Sequence, residues 1–178
     1  MSKITRTQLK QYLKQRSHDE LLDDLLDLFS RLDVVKDYYR LRLSNEPDES
    51  LLDTYKSRIK DEFFPARGYG QARLSIARKP ITEYKKISKS PLGLIDLMLY
   101  YVEMGVQFTI AYGDIDEAFY MSMEGMYERA AELIDKEGMK DQFQARCKQV
   151  VDATSGMGWG FHDMLSQIYG ETFRDFPD

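Results

Sequence analysis

No stretch of this chain alternates convincingly between apolar and polar side chains, whereas apolar residues return every three or four positions along most of its length. Alternation with period two marks a half-buried strand, and a three-to-four spacing marks one face of an α-helix. The pattern commits the chain to an all-α fold. Leu9, Tyr12 and Leu13 predict a short amphipathic helix that either Thr5 or Thr7 can cap. Ser17-His18-Asp19-Glu20 fits a capping box, in which the serine hydroxyl accepts from the third amide and Glu20 reaches back. The helix it opens carries Leu21, Leu22, Leu25, Leu26, Leu28 and Phe29, with Asp23, Asp24 and Asp27 turned outward. Asp33 is placed to cap a third helix, striped by Val34, Tyr38 and Leu41. A turn at Asn45-Glu46-Pro47-Asp48 starts a fourth, where Leu51 or Leu52, Tyr55, Ile59 and Phe63 recur at fours until Pro65 and Gly68 end it.

The second half predicts helices over 71–78 and 81–88, parted by Pro80. Pro91 then suits the first turn of a helix over 91–112. That helix is apolar on most sides and approaches transmembrane length, but Asp96, Glu103 and Gln107 interrupt it. A central helix buried by its neighbours is the expectation, with no membrane partner. Gly113-Asp114 is expected to close it and cap the next, over 115–136, which Glu137-Gly138 ends. Helices over 140–154 and 160–173 follow. Eight or nine helices of this kind pack as antiparallel hairpins, in a compact bundle or a short α-solenoid. The 178 residues read as a single domain, 1–178, with two lobes (1–66 and 67–178) as the variant of that reading.

Composition narrows the function. Hydrophobic residues at 43% and aromatics at 12% supply a core, which excludes a disordered chain. One cysteine, Cys147, excludes a disulfide framework and a cysteine-based zinc cluster. Two histidines leave little for a metal site, so no metal and no cofactor is expected. The start has basic residues but no apolar run behind them, so no signal peptide is read and a cytoplasmic location is expected. Charge is uneven: residues 67–89 hold seven Lys and Arg against one Glu, and residues 90–178 hold six against sixteen Asp and Glu.

Three constellations could carry chemistry. The first is the basic segment, with Arg67, Arg73, Arg78, Lys79, Lys85 and Lys86 among its cations and Tyr69 and Tyr84 interleaved. It reads as a surface for nucleic acid or another polyanion, or as a cationic face neutralised by acidic neighbours. The second is an acidic groove. Asp96 and Glu103, seven apart, share one helical stripe, and Glu117 and Glu124 share another on the following helix. Together they could accept a basic partner segment, or be a solvated face. The third is Trp159, Phe161, His162 and Asp163, where glycines at 156, 158 and 160 surround the only tryptophan. It reads as a pocket floor whose histidine exchanges protons near neutral pH, or as an interhelical turn in which Trp159 and Phe161 plug the core.

Several runs together carry a family resemblance. They are Glu62-Phe63-Phe64-Pro65, Leu97-Met98-Leu99-Tyr100-Tyr101-Val102-Glu103 and Gly113-Asp114-Ile115-Asp116-Glu117. The most specific is Thr154-Ser155-Gly156-Met157-Gly158-Trp159-Gly160-Phe161-His162-Asp163, and Leu9-Lys10-Gln11-Tyr12-Leu13 adds the amino-terminal part. The chain resembles a bacterial family described only as domain of unknown function 6155. The resemblance implies a compact helical protein of unassigned activity and supplies no catalytic residue. A non-enzymatic interaction module for a peptide or protein partner is the expected function, ahead of nucleic-acid binding through 67–89 and of an enzyme with a small pocket at Trp159 and His162. A homodimer is compatible with so many apolar faces.

Overall fold

The structure is a computed structural model that describes residues 3–43 and 49–174. Contacts divide the chain into two units, Met1–Asn45 and Glu46–Asp178. The turn expected at 45–48 lies outside the described residues. Among the described residues all regular structure is helical.

The first unit holds α1 (Arg6–Lys14), α2 (His18–Arg31) and α3 (Asp33–Leu43). Both expected caps form. The Thr5 hydroxyl accepts from the Gln8 amide and Gln8 Oε1 accepts from the Thr5 amide, and Ser17 and Glu20 make the same reciprocal pair. Two otherwise orphaned amides are thereby satisfied at each start. Asp33 is not a cap but the first residue of α3, because the amides of Val35 and Lys36 both go to the Leu32 carbonyl. The α2 and α3 helices pack together, with Phe29 edge-on to Tyr39.

The second unit is a compact bundle built around α7 (Pro91–Tyr112). Here α7 contacts α4 (Glu49–Phe63), α6 (Lys79–Ile87), α8 (Glu117–Glu137) and α9 (Lys140–Ala153), while α10 (Phe161–Thr172) packs on α8 and α9. The length and apolarity of α7 would suit a membrane span. Twelve of its residues, from Gly93 to Thr109, are buried against those neighbours. Gly105 permits the closest approach to α8, since a Cβ there would fall 2.3 Å from the Met123 sulfur. Edge-on aromatic pairs link the layers: Tyr55 with Tyr84, and Phe63 with Tyr101 and Phe108.

Two expected boundaries move. The helix predicted over 71–78 shrinks to α5 (Leu74–Ala77), because the amides of Gln71 and Ala72 are taken by the Glu62 carbonyl at the end of α4. The cap of α8 is Asp116, whose carboxylate accepts from the Phe119 amide at 2.8 Å, and not Asp114. Asp114 instead accepts from the Tyr120 hydroxyl and from the Gly158 amide, tying the turn before α10 to the start of α8. The 65–70 connection lies inside the second unit.

Candidate functional site

A cleft of 740 Å³ opens between α6, α7 and α8. Its floor is apolar: Ile81 from α6, Leu94 and Met98 from α7, Met126 and Leu133 from α8. Its rim is cationic, with Arg78, Lys85, Arg129 and Lys136 against the single carboxylate of Glu132. Helical spacing places them. Met126, Arg129, Leu133 and Lys136 stand at three-four-three intervals, so one stripe of α8 gives two floor residues and two cations.

Arg78 is half-buried just ahead of α6 and donates to the Ser122 hydroxyl at 3.2 Å. Ser122 in turn is 2.8 Å from the hydroxyl of Tyr101, which is wholly buried. Burial pushes the Tyr101 hydroxyl above its usual range, and the hydrogen bond to Ser122 and the charges of Arg78 and Arg129 act against that rise. The Arg129 guanidinium lies back over Gly125, where the ideal position of a Cβ is 3.9 Å from Nη2. Two guanidiniums therefore bear on one buried hydroxyl. Among the described residues Arg78, Lys85 and Arg129 make no ion pair, while Lys136 lies 3.3 Å from Glu137.

The rest of the basic segment is dispersed. Arg73 gives Nε–H and Nη2–H to the two Glu62 oxygens at 2.8 and 3.1 Å, and its own amide to Oε1 at 3.0 Å. Those hydrogen bonds hold the buried Glu62 carboxyl below its ordinary value, against the opposing effect of burial. Lys79 lies 3.9 Å from Glu83, which also takes Arg58 at 2.6 Å. Arg67 and Lys86 are exposed. The segment does not form one cationic face.

The four groove carboxylates also part company. Asp96 and Glu103 both hold Arg146 of α9, Glu103 through Nε at 2.6 Å and Nη2 at 3.0 Å. Lys56 of α4 joins Asp96 at 2.6 Å and stands over the Tyr100 ring. Burial disfavours the Arg146 charge, but the hydrogen bonds and charges of Glu103 and Asp96 more than offset it, so its pKa is raised. The basic segment that meets these acids thus comes from α4 and α9, and not from 67–89. Glu117 is exposed in the first turn of α8, and Glu124 is half-buried one turn and more along, its carboxyl pushed up by burial.

The Trp159 turn behaves partly as a plug. Phe161 is buried with its ring 4.9 Å from that of Tyr120, but Trp159 is 60% exposed. Gly156 and Gly160 take positive φ, as does Trp159 itself at 62°, a conformation a bulky side chain rarely adopts. Gly158 serves space instead, because a Cβ there would stand 2.8 Å from Asp114 Oδ2. His162 Nδ1 is 2.9 Å from the Thr154 hydroxyl and 3.2 Å from the Val151 carbonyl. Thr154 gives its own proton to Val151 at 2.6 Å, so Nδ1 is the protonated nitrogen and Nε2 carries the lone pair. Asp163 is exposed. None of the four residues lines the cleft.

Sequence reasoning missed Arg129, Lys136 and Arg146. The stripe 126-129-133-136 was the available signal for the first two, hidden by the acidic total of the region. Cys147 beside Arg146 is buried, and burial pushes its thiol up to about 12.

A helical bundle with a cationic, apolar-floored cleft is the class these features define. Within that class the chain belongs to the family of unknown function DUF6155, whose model matches residues 1–173. No curated protein and no solved structure matches it.

Proposed function

We propose that the chain is a non-enzymatic helical interaction module that binds a protein or peptide partner through the amphipathic helices of its first unit. One observation carries this reading. The three helices α1–α3 bury no residue. Nine large apolar side chains of α1, α2 and the α2 cap, including Leu22, Leu25, Leu26 and Phe29, expose between 37% and 64% of their surface. Residues 22, 25, 26 and 29 form one helical stripe. Covering the exposed half of nine such side chains would release about 7–13 kcal/mol gross, comparable to the cost of associating two proteins.

Charge describes the partner. Arg6, Lys10 and Lys14 give α1 three cations and no carboxylate, while α2 carries five carboxylates and one arginine. An acidic apolar-faced helix suits α1 and a basic one suits α2. A second copy of the chain offers both, which makes a homodimer the first partner to test.

Nucleic-acid binding through 67–89 would need its cations free on one face, and Arg73 and Lys79 each stand by a carboxylate. Catalysis at His162 would need a nucleophile beside it, and the Thr154 hydroxyl is committed to Val151.

Sedimentation velocity from about 1 to 100 µM tests the reading. The wild type should shift toward a dimer as concentration rises, and Leu25→Glu/Leu26→Glu should remain a monomer with unchanged helicity. Should the wild type stay monomeric throughout, a photo-crosslinker at position 26 should still join the chain to a protein in cells. Monomers without any adduct would overturn the reading.

A further inference from the structure

We infer that the cleft between α6, α7 and α8 binds a single-chain anionic amphiphile, an alkyl or acyl chain ending in a carboxylate or phosphate. This inference lies outside the first unit and stands without the interaction reading. Two properties of the cleft select the ligand. The floor of Ile81, Met98 and Met126 is nearly inaccessible from the bundle side yet ends in an open hollow, and its volume falls within the range of ordinary ligand pockets. Methionines there adapt to a flexible chain.

Charge selects the head group. Arg78, Lys85 and Arg129 surround the floor without an ion pair among the described residues, whereas Arg73, Arg146 and Lys56 in the same unit each meet a carboxylate. Like charges facing an apolar surface repel one another, and an anion placed among them removes that repulsion. Arginine forks present paired N–H groups to a carboxylate or phosphate. Arg78 is held by Ser122 and Arg129 rests over Gly125, so both are in place before a ligand arrives. A polyanion without a chain would satisfy the rim and leave the floor wet. A cationic amphiphile would satisfy the floor and meet the rim with the wrong sign.

Titration calorimetry of the full chain tests this with dodecyl phosphate, dodecanoate, dodecyltrimethylammonium and inorganic phosphate, each below micelle formation, with circular dichroism to confirm the fold. Dodecyl phosphate or dodecanoate should bind one to one, at least about tenfold more tightly than the cationic detergent or inorganic phosphate. The arm that binds better identifies the head group. Lys85→Glu/Arg129→Glu, both at exposed positions, should weaken that binding at least about tenfold while helicity is unchanged. Equal affinity for the cationic detergent, unchanged binding in the double variant, or no saturable binding of either anion by folded protein would overturn the inference. Binding of an acidic, leucine-rich amphipathic peptide in place of both anions would overturn it in favour of peptide docking.

Discussion

Replacing Arg146 with methionine keeps the aliphatic stem and removes the charge that joins α7 to α9. Truncating one partner of a buried ion pair costs about 3–5 kcal/mol, because the remaining charge is left desolvated. Two features lower that figure here. The Arg146 side chain is 27% exposed and those of Asp96 and Glu103 are 15% and 25% exposed, so water reaches the site in part. Lys56 also remains on Asp96, which leaves Glu103 as the orphan. The expected loss is about 2–3 kcal/mol. With a urea m-value of about 1–3 kcal/mol per molar, the unfolding midpoint should fall by about 1 M at unchanged slope. Far-UV circular dichroism at pH 7 reads it. Adding Glu103→Gln to Arg146→Met should then recover about half of the loss, a coupling that independent sites do not show. A single-variant loss under about 0.5 kcal/mol, or a double variant worse than the sum of the two, would refute the placement of these charges.

Three further outcomes follow from the geometry. Glu62→Gln should destabilise at pH 7, and the deficit should fade in acid: the native carboxyl is held low, so its stabilisation is present above the unfolded value near 4.3 and lost as pH falls through the native one. Urea midpoints from pH 7 to 3 check this, and a deficit constant with pH would contradict it. Cys147 should resist iodoacetamide at pH 8 in native protein and react once unfolded. Its raised value, about 12, also means that stability is whole below the unfolded thiol value near 8.5 and declines as pH rises beyond it. Gly93→Ala should cost about 1–3 kcal/mol by overpacking. The new Cβ would stand 2.1 Å from the hydroxyl of the buried Tyr84, and a melting temperature equal to wild type would show that α6 gives way.

Much of the helical layout was legible because caps and prolines speak locally. Ser17 with Glu20, Pro91 and Gly138 each fix a boundary from within four residues, and α7 spans the range its apolar run predicts. The failures share one cause, competition from distant partners. Residues 71–73 could not extend α5, since Glu62 claimed their amides. Asp114 sits where a cap belongs, but Tyr120 and Gly158 hold it and Asp116 takes the role. Sites were less legible for the same reason. The seven-residue spacing of Asp96 and Glu103 correctly put them on one stripe, yet nothing local announced that Arg146, more than forty residues on, would occupy both. Charge totals by segment misled in the same way, because Arg78 and Lys85 from the basic stretch share a rim with Arg129 and Lys136 from the acidic one.

The exposure of Trp159 decides what an optical probe of this molecule can see. It is the only indole in the chain, and it stands on a strained, left-handed residue of an interhelical turn with most of its surface in water. Its emission should be red-shifted and readily quenched by acrylamide in the native state, so unfolding changes it little. Fluorescence will report the loosening of that one turn and pass over the loss of the bundle, whose buried rings are tyrosines and phenylalanines.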